Sequence, residues 1–331
     1  MAKVPERDKD VYFVGAGLSA AFGLPVTQQL LREVDSDLAG RLLASYEHFY
    51  PIDSTQSAGF QPAVVDYFSL LQSHIAVTIP GDSSPLPGPP LENPEGLLRD
   101  LKWHITECLV AGVRSLDLSD TIPSLEKLFD PGNVIITTNW DFLLEAYAIE
   151  QGHRFRYQRH QEHDNHATIL KLHGSVDWTL SNSRKRTDED SRYAGLGHLV
   201  GSGAYAFGDQ NVLRIRALEE PGRAWQRIKA GTTEPLLITM APGKASELAP
   251  VRKLWNDAYW ALSSARRIHF IGYSLPPDDI EIRALVLAGI QRGSKKVRAV
   301  SVQDPSPEVH NRFRSYIRTD INDIYVPFAK G

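Results

Sequence analysis

Cysteine is almost missing from this chain: Cys108 stands alone among 331 residues. An intrachain disulfide is therefore impossible, and so is a zinc ribbon built on two or four cysteines. One free thiol fits a reducing cytosol. Long apolar runs are missing as well. No stretch reaches the roughly 18 to 20 apolar residues of a membrane span. The run VYFVGAGLSAAFGL behind the charged MAKVPERDKD is broken by glycines, unlike a signal peptide. A cytoplasmic protein without membrane contact is expected. Nor does charge of one sign dominate: Lys plus Arg is 36, Asp plus Glu is 40, and the net charge is -4. That balance argues against a chain built to coat nucleic acid, so any such contact is expected to be indirect. With 42% apolar and 23% charged residues, the composition is that of an ordinary globular protein.

Apolar, β-branched and aromatic runs alternate with helical patterns. VYFVG (11–15) has the look of a buried parallel strand ending in glycine, and TQQLLREVDSDLAGRLLASYEHF (27–49) reads as one helix. Residues 60–79 look helical. A loop carrying Pro80, Pro85, Pro87, Pro89, Pro90 and Pro94 follows, and Asn93 with Pro94 opens a further helix. Strands are expected at 133–141, 167–178, 235–242, 267–272 and 297–305, and in DIYVPFA near the C-terminus. Helices are expected at FLLEAYAIEQG, 250–265, IEIRALVLAGIQRG and EVHNRFRSYI. No internal repeat is visible. The alternation implies a single α/β domain over residues 1–331, a Rossmann-like doubly wound parallel sheet. It carries an inserted helical module at 28–128 and a polar, loop-rich excursion at 176–235.

Four segments place polar residues directly after an apolar strand: GAGLS (15–19), TTNWD (137–141), LHGS (172–175) and GYSLPPDD (272–279). In an open parallel sheet such ends face one crevice. Gly15 and Gly17 permit either a phosphate-cradling turn or a purely structural one, and their spacing departs from G-x-G-x-x-G because the next glycine is Gly23. Asn139 and Asp141, two residues apart, either orient a polar ligand or cap the next helix. His173 suits a general base, or a hydrogen-bonded buried histidine.

Taken in order, VGAGLSAAFGLP, TTNWD, LHGS and FIGYSLPPDD resemble the catalytic domain of the Sir2 (sirtuin) superfamily, most closely the Sir2-like NAD-hydrolysing domains of prokaryotic anti-phage defence systems. The resemblance spans residues 11 to about 305. It implies that NAD is a consumed substrate. Gly15, Ala16, Gly17 and Ser19 would then contact the NAD phosphates and nicotinamide ribose, and Asn139 would sit by that ribose. Asp141 would hold the carboxamide and His173 would act as base. Gly272, Tyr273 and Ser274 would meet phosphate and the adenosine ribose, with Asp304 near the adenosine end.

Two departures bear on the reaction. Protein-deacylating sirtuins carry a four-cysteine zinc module and an Ile-Pro-Asp-Phe-Arg motif. Here there is one cysteine, and after Gly23, Leu24 and Pro25 come Val26, Thr27 and Gln28. The expectation is therefore an NAD glycohydrolase acting as a defence effector. A protein deacylase, an ADP-ribosyltransferase and a silent NAD-sensing module are the alternatives. The resemblance also implies a separate sensor, a HerA-type ATPase or an Argonaute-type protein. A homo-oligomer is expected from the apolar surplus of AVVDYFSLLQSHIAV and GLLRDLKWHITECLVAGV. His160, His163 and His166 have metal-like spacing, but Asn and Gly punctuation favours a loop, and no metal is expected.

Overall fold

The computed structural model describes residues 10–31, 34–49, 63–77, 93–157, 166–181, 204–206, 211–214, 235–239, 247–292, 299–317 and 321–324. Strand β1 (Asp10–Val14) leads into the short helix α1 (Ala16–Ala21). Helices α2 (Ser36–Phe49), α3 (Val64–Val77) and α4 (Pro94–Arg114) follow, then the single-turn α5 (Pro123–Glu126). Next come β2 (Val134–Thr137), α6 (Leu143–Glu150), β3 (Phe155–Arg156), β4 (Ala167–Lys171) and β5 (Gly174–Ser181). After these are β6 (Ala204–Ala206), β7 (Asn211–Arg214), β8 (Pro235–Leu237) and α7 (Arg252–Ser264). The chain continues through β9 (Arg267–Ile271), α8 (Ile280–Arg292), β10 (Ala299–Gln303), α9 (Pro307–Tyr316) and β11 (Ile321–Ile324).

Seven of these strands form one parallel sheet in the order β11-β10-β9-β1-β2-β4-β3. The connection from β1 to β2 runs toward one edge, while β9, β10 and β11 step toward the other. Right-handed crossovers then place their helices on opposite faces. This is the doubly wound architecture the sequence implies. One face of β1 and β9 carries Phe13 and Phe270, and Phe313 of α9 packs on Phe270 with ring centroids 4.6 Å apart. The other carries Tyr12 stacked on His269 at 4.9 Å, and His269 Nδ1 lies 2.7 Å from Ser301 Oγ. Burial pushes the His269 pKa down; Asp10 opposes this and Arg267 adds to it. Beyond β1 this second face is only half-covered, with Arg267 and Ala299 exposed.

Three differences from the sequence reading have local causes. Residues 27–49 are not one helix. A 3₁₀ turn at Thr27–Gln29 is followed by a fresh start at Ser36, where Asp35 Oδ1 accepts from the N–H groups of Asp37 (3.1 Å) and Leu38 (2.9 Å). The 235–242 strand is β8, and it belongs to a second, antiparallel sheet of order β6-β7-β5-β8. The final strand begins at Ile321, two residues before DIYVPFA. The start of α4 is as expected: Asn93 Oδ1 accepts from Gly96 N at 3.1 Å with Pro94 at the first position.

Helices α2, α3 and α4 form a layer between α1 and β2. Val64, Tyr67, Phe68 and Leu71 of α3 are buried, as are Leu97, Leu101, Trp103, Ile105, Leu109 and Val113 of α4. These side chains are covered within the chain.

Candidate functional site

The strand order reverses between the parallel neighbours β1 and β9, so the turns after these strands lie side by side, where an open α/β sheet places its ligand crevice. They mesh backbone to backbone. Gly15 N donates to Ile271 O (3.0 Å) and Gly17 N to Gly272 O (2.9 Å). A Cβ on Gly15 would stand 2.5 Å from Gly272 O, and one on Gly17 would stand 2.7 Å from Gly272 Cα. Gly272 itself has φ +57°, in the left-handed region that favours glycine. The glycines of both motifs are therefore explained by this close approach. Two N–H groups that a phosphate cradle would use are already donated to carbonyls.

Beside this seam lies a hydrogen-bonded knot. Asn139 Nδ2 donates to Gly15 O (3.1 Å) and to Ser19 Oγ (3.0 Å), and Ser19 Oγ donates to Asp141 Oδ2 (2.8 Å). Both amide hydrogens of Asn139 are engaged, so its Oδ1 is presented as an acceptor. Asp141 divides its work: Oδ1 accepts from Leu143 N, the first residue of α6, at 3.0 Å, while Oδ2 takes the serine. The helix start and the serine are thus held by different oxygens of one carboxylate. Ser19 and Asp141 are buried and Asn139 is half-buried.

The loop carrying the knot rests on a buried ion pair that the sequence reading passed over. Lys171, the last residue of β4, lies 3.2 Å from Glu145 Oε1 with both side chains 1% exposed, and its ammonium donates to Asp141 O. Tyr157 OH donates to Glu145 Oε1 at 3.2 Å. The signal was present, because a lysine closes the otherwise apolar run ATIL immediately before LHGS. Trp140 pins the same loop to the residue just after β8 through Nε1 to Ile238 O at 3.1 Å.

His173 follows β4 and is fully buried. Its Nε2 stands 3.5 Å from Oδ2 of buried Asp279, on the loop after β9. Asp279 lies inside the GYSLPPDD motif, yet sequence reasoning gave it no role. Tyr273 turns away from the seam: its ring packs against Phe13 at 4.5 Å between centroids. Its phenol is pushed well above its ordinary pKa by burial, then by Asp279, with Arg283 opposing. Ser274 is half-buried, and its carbonyl accepts from Arg312 Nη1 at 2.6 Å. Asp304 follows β10 and caps the chain locally, with Oδ1 accepting from Ser306 N at 2.9 Å. Ala16 opens α1. The structure therefore gathers Gly15, Gly17, Ser19, Asn139, Asp141 and Gly272 into one cluster and pairs His173 with Asp279. It leaves the Tyr273 ring in the aromatic core. Of the three spaced histidines, His160 and His163 lie outside the described residues. His166 is half-buried, its pKa lowered by burial and by Arg156 and Arg154. Among the described residues no three His, Cys, Asp or Glu side chains group as metal ligands, and no helix is long and apolar enough to cross a membrane.

No protein-family model matches the sequence, and no curated protein matches it. Solved structures show a partial likeness. One is a Sir2 homologue in complex with NAD, 15% identical over 96% of this chain and 84% of that chain, with a TM-score of 0.44. Another is a mutant Sir2 homologue in complex with 2′-O-acetyl ADP ribose, at 17% identity, covering 96% and 86%, with a TM-score of 0.44. A third, on the structural basis of sirtuin substrate affinity, is 15% identical over 97% and 90%, with a TM-score of 0.42.

Proposed function

We propose that this chain consumes NAD, cleaving the bond between nicotinamide and ribose, and that it serves as the effector of a prokaryotic anti-phage defence system. The observation that carries the reading is the Ser19–Asn139–Asp141 knot, drawn from two separate motifs and seated at the carboxyl ends of β1 and β2. The ordered motifs through GYSLPPDD support the same reading. The reaction needs a held leaving group, a stabilised sugar and an activated water, because positive charge grows on the ribose as the bond breaks. Asp141 would take the carboxamide. The acceptor end of Asn139 suits the water or the growing charge. His173 would take a proton from water. The carbon–nitrogen bond breaks with its electron pair leaving on nicotinamide, the water oxygen bonds to the ribose carbon, and the proton passes through His173 to solvent. The solitary cysteine rules out the four-cysteine module of peptide-deacylating relatives and favours water over an acyl-peptide as acceptor. Control would come from a separate sensor polypeptide.

The test is incubation of the purified chain with NAD alone and then with an acylated peptide. Free nicotinamide and ADP-ribose without peptide are expected. Asn139→Ala should abolish this release, and His173→Ala should slow it by about 10²- to 10⁴-fold. Release that depends on the peptide would overturn hydrolysis in favour of deacylation.

A further inference from the structure

His173 and Asp279 come from strands that are not neighbours. Two strands, β1 and β2, separate β4 from β9 in the sheet, a span of about 14 Å at ordinary strand spacing. The loops after β4 and β9 nevertheless reach toward each other and bring imidazole Nε2 to 3.5 Å from carboxylate Oδ2. Both side chains are buried, at 0% and 4% exposure. A buried carboxylate gains from an ionisable neighbour, and here an imidazole reaches it from across the sheet. Asp279 sits immediately before α8, and the helix start places it: Arg283 N donates to Asp279 O at 3.0 Å, and Asp279 N contacts Pro276 O at 3.3 Å. The carboxylate is thus fixed on the rigid side of the crevice, while His173 is held through its backbone, its carbonyl accepting from Ile238 N at 2.9 Å.

We infer that Asp279 is the positioning residue of the site: it accepts the Nε2 proton of His173, fixes the ring, and leaves the lone pair on Nδ1 as the basic end. The inference rests on the proposed NAD cleavage for its catalytic meaning, but not for its structural content. When Nδ1 takes a proton from water, the imidazolium that forms lies against the carboxylate. A carboxylate so placed orients and stabilises the base without itself becoming protonated. Asp279 does not touch substrate, so it should act entirely through His173.

Two measurements test this, and they separate it from the function itself. The first is the ¹⁵N spectrum of the histidine side chains in the wild-type chain, recorded where His173 is neutral and assigned by its loss in His173→Ala. The expected form carries the proton on Nε2. A proton on Nδ1 overturns the inference whether or not the chain cleaves NAD. The second is a double-mutant cycle on nicotinamide release. Asp279→Asn should lower kcat by between about 10- and 10⁴-fold, with KM for NAD within about twofold. In the His173→Ala background the same substitution should cost nothing more. A further loss there overturns the positioning role. A wild-type chain inert toward NAD defeats the proposed function alone and leaves the spectrum to decide the pairing.

Discussion

Lys171 shows how one residue ties stability to the site. Its ammonium is buried, paired with Glu145, and bonded to the carbonyl of Asp141. Removing one member of a buried pair strands the other charge. Lys171→Met should therefore cost about 3–5 kcal/mol in urea denaturation. Pairing it with Glu145→Gln should recover much of that stability, because no ion is then left uncompensated. Nicotinamide release should stay low in both variants, since neither restores the bond that steadies Asp141. Recovery of full activity in the double variant would show that the loop needs no such support.

Among the elements, the packing of α5 against α6 contains a small acid-sensitive joint. Glu126, at the end of α5, accepts from Tyr147 OH of α6 (2.6 Å) and pairs with His153 Nε2 (2.9 Å). Burial works to raise the Glu126 pKa, but the bonds from Tyr147 and His153 outweigh it and hold it below the usual 4.5. The same contact, after burial, helps push Tyr147 up to about 12. A carboxylate lowered by folding stabilises the native state above its unfolded pKa, and that stability is lost as pH falls through the folded value. Glu126→Gln should thus lower stability near neutrality by about 0.5–1 kcal/mol, after screening at this partly exposed site. The gap should close as thermal melts are taken below pH 4.5. Such joints are hard to see in the sequence, because their partners lie in different elements. The same limit explains β8, whose apolar run PLLITMAP reads identically for a parallel or an antiparallel partner. By contrast, VYFVG and Asn93–Pro94 carry their structure in local pattern and stand where expected, while NVIITTNWD keeps only Val134–Thr137 as strand. Asn139 and Asp141 were legible for the same reason: they follow a strand. Asp279 was not, because only the crossing of loops above the sheet brings it to His173.

For the molecule as a whole, the sheet is graded from centre to edge. All five residues of β1 are buried, whereas β11 at the margin is half-exposed along its length. Amide exchange should follow that gradient, with β11 losing protection first and β1 last. Gly15 lies beyond the strand and Gly17 in the first turn of α1, yet their amides should exchange as slowly as β1, since both donate to the β9 side. Exchange mass spectrometry resolved to these peptides decides it, and fast exchange at Gly17 would count against the meshed turns.

That meshing has a mechanical corollary. Where two backbones lie this close and share two hydrogen bonds, sliding meets collision and parting breaks both bonds, so the turns after β1 and β9 are expected to move together. Motion at this end of the sheet is then expected in the segment after β4 before it is seen at this seam.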